Sequence, residues 1–346
     1  MKRAPFEIAG ETVAPGERRI VAINLARLYT HTPLDLEIEV IHGRRDGPVL
    51  LVCATIHGDE LNGVEICRQL MLHRSLSRLR GTLLVVPVVN IFGFIQHSRY
   101  LPDRRDLNRC FPGSERGSLG SRIAHLFHTQ VLRRCSHVID LHTGAIHRSN
   151  LPQIRANLDN PAAESMAREF GAPIILDAQL RDGSLRECAD QNGIPLILYE
   201  AGQALRFDNN AIRGGVRGIL NVMRALDMLP ALKRPRPALQ PAVARSSYWL
   251  RAEADGIFRS TLKLGQRVSR GQALGIITTP FSSREMEVTA SYAGLIIGRN
   301  NIPLVNEGDA LYHIARFDTV ASAEKRVEAI SEEIGAHSLP EEPPTI

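Results

Sequence analysis

"PVLLVCATIHGDELNGVEICRQLM", residues 48–71, contains the change of pattern on which the fold turns. Residues 48–56 are a nearly continuous apolar run, as expected of a strand covered on both faces. Val64, Cys67 and Met71 then recur at helical spacing and put one apolar stripe on a helix. Between strand and helix lies HGDE, residues 57–60, an imidazole and a carboxylate three residues apart. The alternation continues outward. TLLVVPVV (82–89), HVIDLH (137–142), PIIL (173–176) and PLILYE (195–200) read as buried strands, while residues 34–40 alternate apolar and acidic side chains, like a half-buried strand at or near a sheet edge. Ile123, Phe127 and Val131, with Ser121 as cap, predict a second helix; Ile212, Val216, Ile219 and Met223, after Asp208, predict a third. Strands alternating with helices make an open α/β sheet, and in such sheets ligands bind beyond the carboxyl ends of the strands.

The bulk properties set limits on function. The chain has 346 residues, 44% hydrophobic and 23% charged, which describes a folded protein long enough for two domains. Its net charge of +5 comes from scattered basic residues with only 5% aromatics, so neither a phosphate-tracking stripe nor a stacking platform points to nucleic acid. The five cysteines (Cys53, Cys67, Cys110, Cys135 and Cys188) include no CxxC pair and fit reduced thiols in the cytosol. The first residues, MKRAPFEIAGETVAPGERR, lack a continuous apolar segment and no 18-residue apolar run follows, so the expectation is a cytoplasmic protein without membrane contact.

The α/β domain is expected over residues 1–230, with an N-terminal β segment over 1–45, followed by a proline-rich basic linker at 231–247. Residues 248–318 change vocabulary to short β-type runs with many glycines. ADGIF (254–258) with VSRGQAL (268–274) is echoed by YAGLI (292–296) with VNEGDAL (305–311), which implies two similar β units packed as a small barrel or sandwich. This pattern resembles the barrel-sandwich of lipoyl and biotinyl carrier domains, but SSREMEV (282–288) has no lysine to modify and Lys263 lies in the other half. The module is therefore read as structural, or as a wall limiting access to the site. Residues 319–346 read as a charged tail, a surface helix fraying into disorder.

His57 and Glu60 supply nitrogen and oxygen donors within one turn, and Gly58 would let the chain bend tightly beside an ion. The pair is equally a polar helix start, with Glu60 favoured by the helix dipole. His142 ends a buried strand with Asp140 two residues earlier on the same face, an arrangement suited to orienting a ligand imidazole. Two further stretches, SRYLPDRRDLNRCFPG (98–113) and YEAG (199–202), complete a pattern. HGDE, DLNR, FPG, DLHTG and EAG in this order, over roughly residues 45–225, resemble the succinylglutamate desuccinylase/aspartoacylase family of the zinc carboxypeptidase clan. Asp59 stands where that family more often has Asn, a position that does not ligate the metal.

The resemblance implies a mixed sheet with helices on both faces and one Zn²⁺ per chain on His57, Glu60 and His142, although Mn²⁺, Co²⁺ or Fe²⁺ could load the same donors. It implies Glu200 as general base, Asn108 and Arg109 as a clamp for a substrate carboxylate, and Arg99 as the stabiliser of the oxyanion, with Arg104 or Arg105 as alternatives. An ion pair of Arg109 with Asp103 or Asp106 is the structural alternative to the clamp. The implied reaction is hydrolysis of a small N-acyl amino acid or amine. The C-terminal module is similar to that of the branch with N-acetyl-diaminobutyrate deacetylases, which suggests a small acyl group on a diamino acid. The competing readings are a metallocarboxypeptidase acting on peptides, a catalytically silent metal- or ligand-binding module, and a protein-docking barrel on an α/β scaffold. The edge-like alternation at 34–40 could serve a homo-oligomer.

Overall fold

The computed structural model describes residues 3–232, 239–281 and 285–336. Its centre is four parallel strands in the order Leu196–Gln203, His137–Gly144, Arg45–Ala54 and Arg80–Val86, each built on one of the apolar runs. Successive side chains of a strand point to opposite faces, so Leu50, Val52 and Ala54 enter one core while Leu51 and Cys53 enter the other. Helices Asn62–Met71, Pro161–Phe170 and Asn209–Ala225 cover the first face through Ile66, Phe170 and Ile219. Helices Leu119–Leu126 and Leu185–Gln191 cover the second through Ile123 and Cys188. Burying each such apolar side chain contributes about 1.5–3 kcal/mol, which is why the runs without a polar break become the central strands.

Capping residues fix where the helices begin. The Asp208 carboxylate accepts from the amides of Asn210 and Ala211, as its position before the apolar stripe predicts. Ser118, rather than the expected Ser121, caps the 119–126 helix. Its hydroxyl accepts from the Ser121 amide at 3.3 Å, so Ser121 is the third helical residue and already inside the first turn.

On one side the sheet continues antiparallel through Pro33–His42 to an edge at Arg18–Arg27, so the alternating 34–40 segment lies one strand in from the edge. On the other side Arg148–Ala156 pairs antiparallel with the 196–203 strand. Its residues 148–150 also pair with Gly294–Asn300, and the ladder runs on through Ala310–Arg316 to Ser246–Arg251. The main sheet therefore crosses the segment expected to divide the chain, part of which (233–238) lies outside the described residues. A second antiparallel sheet, Glu285–Thr289, Ala273–Thr278, Gly256–Arg259 and Leu304–Val305, packs over this extension around Phe258, Leu274, Ile296 and Ile314. The internal near-repeat thus corresponds to two layers, one of which continues the α/β sheet; Ser282–Arg284 of SSREMEV fall outside the described residues.

The expected charged tail begins as the helix Val320–Ala336, which is docked through Ala323, Val327, Ile330 and Ile334, all buried. Ala323 and Val327 pack with Ile174, Leu295 and Ile297, joining the early and late parts of the chain; residues 337–346 are outside the described set. All five cysteines are free thiols, and no helix among the described residues is long and apolar enough to cross a membrane.

Candidate active site

The strand Arg45–Ala54 delivers the chain to the site through a strained residue. Thr55 has φ +59°, a conformation costly for a β-branched side chain, and its hydroxyl donates to the Pro87 carbonyl at 3.0 Å. Gly58 is required for a reason the sequence reading did not supply: a Cβ there would lie 1.9 Å from the carbonyl carbon of Gly93. The tight turn carrying HGDE is therefore wedged against the neighbouring segment, with the Glu60 amide donating to the His57 carbonyl at 3.2 Å.

That turn and the adjacent parallel strand bring three donors together. His57 Nδ1 lies 2.7 Å from Glu60 Oε1, and His142 Nδ1 lies 2.8 Å from Glu60 Oε2. One donor atom from each residue falls within 4.8 Å of the others, and all three side chains are buried. The outer nitrogens are anchored: His57 Nε2 is 3.1 Å from Asp106 and His142 Nε2 is 2.9 Å from Asp140. Asp140 thus takes the orienting place expected of it. Asp106 was passed over as a candidate counter-ion for Arg109, and the signal available was its place at the head of DLNR.

The electrostatics describe a site built for a cation. Burial pushes Glu60 up, yet the charges and hydrogen bonds of His57 and His142 outweigh it and hold the carboxyl well below the usual range. Burial favours neutral His142, but Asp140 and Glu60 outweigh it and raise the imidazole well above its ordinary value; His57 is raised against burial by Glu60 and Asp106. Two imidazoles among three carboxylates, with Nδ1 facing the shared carboxylate and Nε2 tied back, form the donor set that a divalent ion satisfies. The residues therefore fit Zn²⁺.

The remaining expected residues surround a cleft of about 850 Å³ beside this cluster. Glu200 is the strand neighbour of His142, its Cα paired with that of His142 across the parallel ladder. Its carboxylate is held by Arg155 in an ion pair of 2.7 Å and accepts from Asn150, two partners that sequence reasoning missed because both come from the 148–156 strand. Of the three candidate arginines, Arg99 alone lines the cleft among the described residues. Its guanidinium reaches Glu60 at 3.4 Å and Asp106 at 3.0 Å, whereas Arg104 is exposed and Arg105 pairs with Asp103. Asn108 is buried with Oδ1 accepting from the Leu185 amide at 2.9 Å. Arg109 is exposed in the cleft wall, and its structural alternative is not realised: Asp106 serves His57 and Arg99, and Asp103 serves Arg105. Trp249, Arg251 and Ala310, from strands beyond the linker, complete the wall, together with Arg148, Arg181 and Arg186.

An α/β sheet that brings two histidines and a glutamate to one point beyond its parallel strands, with an acid on the next strand, is an arrangement suited to metal-assisted amide hydrolysis. The sequence signature of the succinylglutamate desuccinylase/aspartoacylase catalytic domain matches residues 46–226, more than half of the chain. The chain belongs to that family, whose members deacylate N-acyl amino acids, as HGDE, DLNR, DLHTG and EAG led us to expect. A relative, the N-alpha-acetyl-L-2,4-diaminobutyric acid deacetylase of Halomonas elongata, is 26% identical over 284 residues, spanning 79% of this chain and 83% of that protein. The crystal structure of a succinylglutamate desuccinylase/aspartoacylase from Rhodobacter sphaeroides superposes with a TM-score of 0.77 at 24% identity, over 87% of this chain and 95% of that one. The product-bound ectoine utilization protein EutE (DoeB) of Ruegeria pomeroyi does so with a TM-score of 0.77 at 23% identity, over 86% and 94%. Both likenesses establish the fold, including its C-terminal antiparallel strands.

Proposed function

We propose that the protein is a zinc-dependent deacylase that hydrolyses the amide bond of a small N-acyl amino acid, with a short acyl group on a diamino acid as the favoured substrate. The observation that carries this reading is the convergence of His57, Glu60 and His142 within 4.8 Å beside Glu200. The likeness to the Halomonas elongata deacetylase supports the choice of substrate. Zn²⁺ held by His57, Glu60 and His142 would supply Lewis acidity to the scissile carbonyl and to a water molecule.

Around that ion the side chains divide the work. Glu200 takes the proton of the attacking water and returns it to the departing amine; Arg155 and Asn150 fix the carboxylate for both transfers. Arg99 places a guanidinium beside the cluster, where negative charge grows on the carbonyl oxygen. Asn108 and Arg109 grip the substrate carboxylate, the guanidinium offering its two-pronged fork. Trp249 and Arg251 add a wall from the C-terminal strands to the cleft, which favours a small substrate over a long peptide. Free thiols at all five cysteines support a cytoplasmic location.

The test is elemental analysis of dialysed protein beside His142→Ala, followed by assay of primary-amine release from N-acetyl- and N-succinyl-amino acids. About one zinc per chain, lost in the variant, with chelator-sensitive amine release, is the expected result. Zinc-loaded protein that releases no amine from any of these compounds would refute the assignment.

A further inference from the structure

A second cleft of about 880 Å³ opens at the other end of the sheet. The strand Arg45–Ala54 joins the two: Arg45 lines this cleft, and the chain enters the catalytic turn just beyond Ala54, about 30 Å away for ten residues of strand. Arg44 and Arg45 reach it from the turn after Pro33–His42, Arg74 and Arg78 from the short helix Arg74–Arg78, and Arg80 from the start of Arg80–Val86.

These five guanidinium groups are exposed and meet no carboxylate among the described residues. Other charges in the wall are already engaged: Glu17 accepts from Arg19 and from the Ala14 amide, and Arg18 is held by Glu39 and the Met71 carbonyl. Asp227 is the one unengaged carboxylate among the described lining residues, so five cations face a single anion. Some arginines elsewhere on the surface are paired with acids, as at Arg68 with Glu65 and Arg168 with Glu164. Like charges gathered in a concavity repel one another, and a bound polyanion relieves that cost. The pKa of His73 in the same wall is lowered by burial first, and then by the charges of Arg224 and Arg74.

We propose that this cleft binds a compact ligand carrying two or more phosphate groups. Guanidinium forks match phosphate oxygens in geometry as well as charge, and groups arriving from three segments surround a ligand rather than track a line. The cleft has the size of a small-molecule site, and no Phe, Tyr or Trp stands among its described lining residues to stack a base, which favours a small molecule over single-stranded nucleic acid.

The experiment is calorimetric titration of the full-length protein with inorganic pyrophosphate, with citrate and a short DNA duplex as comparison ligands. The variants are Arg74→Ala/Arg78→Ala in this cleft and Arg109→Ala in the catalytic one, each checked for an unchanged circular dichroism spectrum. The expected result is saturable binding of one pyrophosphate per chain, weakened about tenfold or more in the double variant and unchanged in Arg109→Ala. Absence of saturable binding, equal binding in the double variant, or loss in Arg109→Ala alone would overturn the assignment. So would tighter binding of citrate or DNA than of pyrophosphate with the same arginine dependence.

Discussion

Replacing His313 by glutamine should flatten the acid limb of the stability profile by an amount that can be worked from its surroundings. The imidazole is 3% exposed, stacked on Trp249 at 4.5 Å between ring centres, with Nε2 on the Ser247 hydroxyl at 2.8 Å. Nδ1 has no partner. Burial above all, then the charges of Arg155 and Arg181, push its pKa down to about 3. The unfolded chain takes up this proton near pH 6.5, whereas the folded protein resists it until about pH 3. A depressed basic group costs nothing above the unfolded pKa. As pH falls through 6.5 the unfolded state binds the extra proton and stability declines by about 1.4 kcal/mol per unit. Between pH 7 and pH 5 His313 should therefore account for roughly 2 kcal/mol. Urea denaturation followed by circular dichroism at both pH values, on wild type and His313→Gln, isolates the term because all other titrating groups are shared. The wild type should lose roughly 2 kcal/mol more than the variant over this interval. Parallel losses would mean that the folded imidazole accepts its proton normally, and the account of its burial would be wrong.

Three further outcomes follow from the site. Glu200→Gln keeps the Asn150 contact and should retain zinc, but kcat should fall by about 10²–10⁴, measured beside metal content. Arg109→Lys should raise KM by about tenfold or more for substrates with a free carboxylate and leave the corresponding carboxamides little changed; equal effects on both would exclude the clamp. Asp106→Asn should weaken zinc binding by about 10–100-fold in competition with a chromogenic chelator, because His57 loses the carboxylate that orients it.

The central strands and three of the helices were legible because each depends on a local pattern: an apolar run for burial on both faces, an apolar stripe for burial on one. The 148–156 strand was not, since Pro152 and its polar residues break any run, and its place comes from pairing with strands far along the chain. The junction of the C-terminal strands with the main sheet is a matter of register across a proline-rich gap, which no local pattern encodes. The 320–336 helix is different: Ala323, Val327, Ile330 and Ile334 recur at spacings of four, three and four, and the stripe was obscured by the charges between them. At the candidate site, His57, His142 and Glu200 drew notice because each lies at or just after the end of an apolar run, and the order of the motifs, through the family resemblance, singled them out together with Glu60. Arg155 and Asn150 could not, because their only relation to Glu200 is through space.

Trp249 is the single tryptophan of the chain, and it stands in the cleft wall with the Arg148 guanidinium 5.3 Å from its ring centre and His313 stacked against it. Its light emission therefore originates from one known place beside the reacting groups. A ligand that displaces Arg148 or excludes water from the indole must alter that emission, so the protein carries its own optical gauge of cleft occupancy, readable in a stopped-flow instrument without any added label.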